Sequence, residues 1–105
     1  MDTSRLTQAT VRAAIEALQR GDSAAWLEQF EPGTWLTDDG AARSFGEFTR
    51  SALGHERFVA IETVDADGLE ISGRFHSDRW GDFRTYFHVT LGARGTIRRL
   101  DIGQL

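Results

Sequence analysis

Two carboxylates, Glu62 and Asp38, are the first candidates for chemistry in this 105-residue chain. Glu62 lies in the run Phe58 to Val64, just ahead of Asp67-Gly68, a dipeptide that favours a two-residue hairpin turn. With Ala66 facing Leu69, the register pairs Val64 with Ile71, Glu62 with Gly73 and Ala60 with Phe75. That register puts a carboxylate on an apolar face, beside a glycine that supplies no side chain to fill the space. Desolvation disfavours the charged form of such a group and raises its pKa toward neutrality, where general acid-base work is efficient. The competing placement is at the rim, or against an Arg from a neighbouring element. Asp38 closes a short strand candidate, and Asp38-Asp39-Gly40 is also sound turn chemistry.

Other polar groupings carry less. His88 and Asp101 read as a base with its orienting acid, but neighbouring opposite charges are ordinary on an exposed sheet face. His55, His76 and His88 lack metal-site spacing: His55-Glu56 has no second His of a zincin helix, and the other two sit on different strands. Asp65-Ala66-Asp67-Gly68 begins like a calcium loop, but its Gly comes too early and the distal Glu is missing. With no cysteine, disulfides, thiolate catalysis and Cys-ligated zinc are excluded together. No motif calls for a metal or a cofactor.

The elements that position these residues begin with helices. Leu6, Val11, Ala14, Ile15 and Leu18 recur at helical spacing, with Thr7 as N-cap and Gly21 where a helix ends in the left-handed conformation. Asp22 caps a second, shorter helix whose Trp26, Leu27 and Phe30 share a face and which Pro32-Gly33 stops. Thr34 to Thr37 is a strand candidate. Ser44 and Glu47 have capping-box spacing at the start of a third helix with Phe45, Phe48, Ala52 and Leu53 as its apolar stripe. From Phe58 the period becomes two. Matching apolar to apolar across the turn at Trp80-Gly81-Asp82 sets Phe75 beside Phe87, Gly73 beside Val89 and Ile71 beside Leu91. In the last strand Ile97 is followed by Leu100 and Ile102, a phase slip that predicts a β-bulge at Arg98-Arg99. The result is a single α+β domain over residues 1–105, with helices covering the apolar face of a four-stranded meander.

Composition agrees with one domain. A folded chain of this mass exposes about 5,900 Å², which supports one core. A net charge of -4 and scattered Arg give nucleic acid no general attraction. The apolar runs are too short to cross a membrane, and the N-terminal residues do not read as a signal peptide, so the expected compartment is the cytoplasm. Neither Lys nor Asn occurs, which points to a GC-rich bacterial coding sequence.

Helix, Gly21-Asp22, helix, short strand, capped helix and a long meander ending in Gly95-Thr96-Ile97-Arg98-Arg99-Leu100 together resemble the nuclear-transport-factor-2-like superfamily. The likeness is to its SnoaL-like and ketosteroid-isomerase-like bacterial members and spans nearly the whole chain. It implies a cone-shaped, cystatin-like roll, with helices on the concave face of a curved antiparallel sheet, a pocket, and a tendency to homodimers. It also implies a pocket acid near Asp38. Steroid isomerases of this type share a Tyr on the first helix; here the only tyrosine is Tyr86, on the meander. The superfamily hosts isomerases, cyclases, hydrolases and binding modules, so fold alone does not set function. The expectation is a small-molecule-binding domain whose apolar pocket is lined by Trp26, Trp35, Gly73, Phe75 and Phe87. The alternative is an isomerase, cyclase or hydrolase using Glu62, with Asp38, as acid or base. Val59, Ile61, Tyr86 and His88 form the expected dimer face.

Overall fold

Each helix of the computed structural model, which describes residues 1–105, starts and stops on a local signal. Helix α1 (Ala9–Arg20) is capped by Gln8, whose Oε1 accepts from the Val11 amide at 2.8 Å, one residue past the expected Thr7. It ends at Gly21, whose φ of 67° closes the last turn. Helix α2 (Ser23–Leu27) is capped by Asp22 as expected, but it is shorter: Phe30 already belongs to the next strand. Helix α3 (Phe45–Ala52) is capped by Ser44, whose Oγ accepts from the Glu47 amide at 3.2 Å. The Glu47 carboxylate turns to Arg43 instead of completing the box.

The strands are β1 (Phe30–Asp38), β2 (Ala41–Arg43), β3 (Glu56–Val64), β4 (Glu70–Ser77), β5 (Gly81–Leu91) and β6 (Ile97–Gln104). They form one sheet in the order β2-β1-β6-β5-β4-β3. The predicted meander is its β3 to β6 portion. Pairing of β1 with β6 is parallel, and Pro32-Gly33 falls inside β1, where a register shift between Phe30 and Trp35 removes the need for a ladder donor. The predicted bulge in β6 is present: Leu91 pairs with Ile97 and Thr90 with Arg99, leaving Arg98 extra.

Two predicted registers are corrected. In the β3–β4 hairpin Val64 does face Ile71, but two shifts follow, so Ile61 faces Gly73 and Phe58 faces Phe75. The extra residues, Glu62 and Val59, lie on the outer face and Ile61 turns into the core at 9% exposure. In the β4–β5 hairpin Ile71 faces Phe87, Gly73 faces Thr85 and Phe75 faces Phe83. Alternating apolar residues match equally well at any even slip, so the turn decides. There Ser77 Oγ accepts from the amides of Arg79 at 3.2 Å and Trp80 at 3.1 Å, and Gly81 takes a φ of 80°. This pins a short loop and sets the register.

The free edge of β3 is covered from the N-terminal side. The Gln19 amide both donates to the Phe58 carbonyl at 2.9 Å and accepts from the Phe58 amide at 2.8 Å. Arg5 donates to the carbonyls of Ile61 at 3.1 Å and Glu62 at 3.2 Å. Groups that would otherwise offer a docking edge are thereby satisfied, and the helices are fixed over the inner sheet face. The core runs from Leu6 and Val11 through Trp26, Phe48 and Phe58 to Leu100. No buried side-chain polar atom lacks a partner, and 5789 Å² of surface remains exposed.

Candidate functional site

The helices fill one end of the concave face and leave the other open. At the closed end Trp26 stacks among Phe30, Phe45 and Phe48, and its indole donates to Thr49 Oγ1 at 3.1 Å. A cavity of only about 10 Å³ remains there. At the wide end a cavity of about 540 Å³ lies between α3, the β1–β2 turn and the tip of the β4–β5 hairpin.

Its apolar wall comes from Phe48, Phe75, Phe83, Phe87 and Ile102. Phe75 sits 5.8 Å from both Phe83 and Phe87, ring centre to ring centre, and Phe58 backs Phe75 and Phe87 at 5.0 Å each. These rings are held from behind, so the wall is preformed. The polar groups converge on the rim. Arg43 Nη1 donates to Asp38 Oδ2 at 2.9 Å, its Nε to Glu47 at 2.8 Å, and its guanidinium lies 5.2 Å over the Phe48 ring.

Glu56 is the carboxyl this cavity holds in a desolvated position. It opens β3 opposite Ser77, whose hydroxyl donates to Glu56 Oε2 at 2.9 Å. Burial pushes the Glu56 carboxyl above the ordinary glutamate range; Ser77 and Arg43 oppose that rise, and the charges of Asp38 and Asp78 add to it. On the opposite face of β4, next to Ser77 in sequence, His76 is bonded to Asp82 at 2.6 Å and to Asp78 at 2.9 Å, and those carboxylates, Asp82 first, raise its pKa. A half-buried acid next to an aromatic wall is equipped to give or take a proton from a bound molecule.

The residues expected from sequence divide between the two faces. Phe75, Phe87 and Asp38 line the cavity. Glu62 is on the outer face, where Arg84 Nε donates to its Oε1 at 3.0 Å, so the burial argument does not apply to it. Trp35 is 53% exposed and does not border the cavity, whereas Trp26 belongs to the packed end. Gly73 leaves no gap: a Cβ there would collide with the Ala60 carbonyl oxygen, because the β3 bulges press that backbone against it. Of the expected dimer face, Val59, Tyr86 and His88 lie outside and Ile61 does not. Tyr86 and His88 stack at 4.7 Å, and His88 faces Asp101 across the ladder. No group of three or more His, Asp or Glu side chains is arranged to hold a metal ion. No helix is long and apolar enough to cross a membrane.

Sequence reasoning missed Glu56, Arg43 and Arg79 as rim residues. A signal for Glu56 exists. Alternation carries Glu56 to the same face as Phe58, two residues on, whereas the spacing by three of Phe58, Ile61 and Val64, the same kind of slip that revealed the bulge in β6, takes Glu62 off that face.

Helices closing one end of a curved mixed sheet, with an aromatic cavity at the other, define the cone-shaped α+β rolls. No protein-family model matches the sequence, and no curated protein is similar to it in sequence. Solved structures are similar in fold. A "putative polyketide cyclase" from Xanthomonas campestris pv. campestris superposes with a TM-score of 0.68 at 16% identity, covering 99% of this chain and 93% of that one. An NTF2-like protein of unknown function from Cytophaga hutchinsonii gives 0.64 at 12% identity, over 89% and 84%. The orange carotenoid protein of Anabaena (Nostoc) sp. PCC 7120, in a structure binding canthaxanthin, gives 0.73 at 16% identity over 94% of this chain and 37% of that one. The chain has the nuclear-transport-factor-2-like fold.

Proposed function

We propose that this protein binds a small, largely apolar molecule in the cavity at the wide end of the cone. The observation that carries the reading is a preformed space of about 540 Å³ with an aromatic wall and a few convergent polar groups, the usual make-up of a small-molecule site. The structural neighbours support it, since one is described as binding canthaxanthin and another is named a "putative polyketide cyclase". Pyrenebutanol, an uncharged fluorescent probe, should bind saturably to the wild type. Phe83→Asp, which sets a charge in the apolar wall, should abolish that binding while the protein stays folded. Binding that survives Phe83→Asp places the probe elsewhere and refutes the reading.

A second reading rests on Glu56. Its desolvated carboxyl and Ser77 partner suit it to shuttle a proton at a carbon next to a carbonyl, as an isomerase, cyclase or hydrolase requires. Glu56→Gln should then abolish solvent deuterium exchange into a bound ketone without changing its affinity; equal exchange in both proteins removes Glu56 as the base.

We also propose a homodimer through the outer sheet face. Trp35 at 53% and Val59 at 38% exposure flank Tyr86 and His88 on one surface, a patch that monomers seldom leave bare. Light scattering should give twice the chain mass, and Trp35→Asp should halve it. A monomeric wild type at micromolar concentration contradicts this assignment.

A further inference from the structure

The charged groups at the cavity rim can be sorted by what already engages them. Asp38 is held by Arg43, which is itself shared with Glu47 and Ser51. Asp82 is bonded to His76, and Glu56 accepts from Ser77. Asp39 accepts from the Gln104 amide at 2.9 Å, at the β1–β2 turn on the far side of β6 from the hairpin. Arg79 alone among the rim charges has no ion pair and no side-chain hydrogen bond.

Arg79 is nonetheless held in place. Its backbone amide and that of Trp80 are both fixed by Ser77 Oγ, and its guanidinium stacks 4.7 Å over the Trp80 ring. The stacking leaves the guanidinium edge, with its fork of donors, free for a planar anion. Trp80 is 69% exposed and presents a flat apolar platform at the mouth. A cation fixed at the entrance of an aromatic cavity, with no rim acid bonded to it and Asp38 and Asp82 held by Arg43 and His76, is complementary to a molecule with an apolar body and an anionic end.

We propose that the ligand of this cavity is an amphipathic organic carboxylate, whose ring system packs against Phe75, Phe83 and Phe87 and whose carboxylate is received by Arg79 at the Trp80 platform. The inference rests on the pocket reading above and specifies its ligand class. Within it Arg79 is a specificity determinant: it separates acids from their neutral analogues and leaves binding of the apolar body unchanged.

The test compares two probes that differ in one group, pyrenebutyrate and pyrenebutanol, by fluorescence titration at low salt against the wild type and Arg79→Gln. Arg79 is an exposed hairpin residue, so the variant folds, which circular dichroism checks. The wild type should bind the acid about fivefold tighter than the alcohol, the upper end for an exposed ion pair. Arg79→Gln should erase that preference and leave the alcohol unaffected. If acid and alcohol bind the wild type equally, or the preference persists in Arg79→Gln, the carboxylate assignment is overturned and the pocket stands. If neither probe binds the wild type, the pocket reading falls and takes this inference with it.

Discussion

The two ends of the cone are built from the same sheet and differ in what covers it. At the closed end α1 and α2 lay Val11, Ile15 and Trp26 against Ile71, Val89 and Leu100, leaving about 10 Å³. At the wide end α3 reaches only Phe48 over the sheet, and Phe75, Phe83 and Phe87 face about 540 Å³ of open space. Apolar burial is completed at one end and left unfinished at the other, so stability is concentrated where the helices lie and the proposed ligand site lies where they stop.

That contrast is broken most directly by truncation. Trp26→Ala should cost about 3–5 kcal/mol in denaturant melts, because it empties a fully packed site. Gly73→Ala should cost about 1–3 kcal/mol, since the new methyl meets the Ala60 carbonyl and the β3 backbone must shift. Phe83→Ala, at the half-exposed wall, should cost only about 1 kcal/mol. If the Phe83 loss equals that of Trp26, the wide end is as tightly packed as the closed one and the contrast fails.

Smaller, pH-dependent effects sharpen it. Glu56 binds its proton more tightly in the folded chain, so it favours the fold at low pH, and that contribution is lost as pH rises from the ordinary glutamate value of 4.5 through the raised one. Glu56→Gln should flatten the stability curve in that window. His76 also has a raised folded pKa, so its contribution is full below 6.5 and is lost as pH rises through the folded value. His76→Gln should remove this higher-pH slope and leave the Glu56 window unchanged. Melts across both windows that run parallel to the wild type would mean that neither partner set holds its group as described.

The helices were legible because their signals are local. Gly21 and Ser44 each cap a helix within a residue or two of the pattern they bound, and the slip from Ile97 to Leu100 disclosed the β6 bulge. The site was only half legible. Phe75, Phe87 and Asp38 lie on the cavity because strand parity places them there, but Glu62 does not, because the bulge at Glu62 inverts the parity of β3 and the one at Val59 restores it only further back, at Phe58. Those bulges match the edge coverage by Gln19 and Arg5, contacts 39 and 56 residues away in sequence for Phe58 and Ile61. The β4–β5 register failed for another reason. Apolar alternation is periodic, whereas the choice among its equivalent slips belongs to the Ser77 turn. Parallel pairing of β1 with β6 joins strands far apart in the chain, and no short-range pattern announces it.

The measurement that bears most directly on a ligand-binding wide end is a nuclear magnetic resonance titration with pyrenebutanol, following aromatic and backbone signals. Shifts should concentrate on Phe48, Phe75, Phe83, Phe87 and Ile102, with Glu56 at their edge and Trp26 unmoved. Shifts confined to the outer face around Trp35 and Val59, or no saturable shifts at all, would contradict the account.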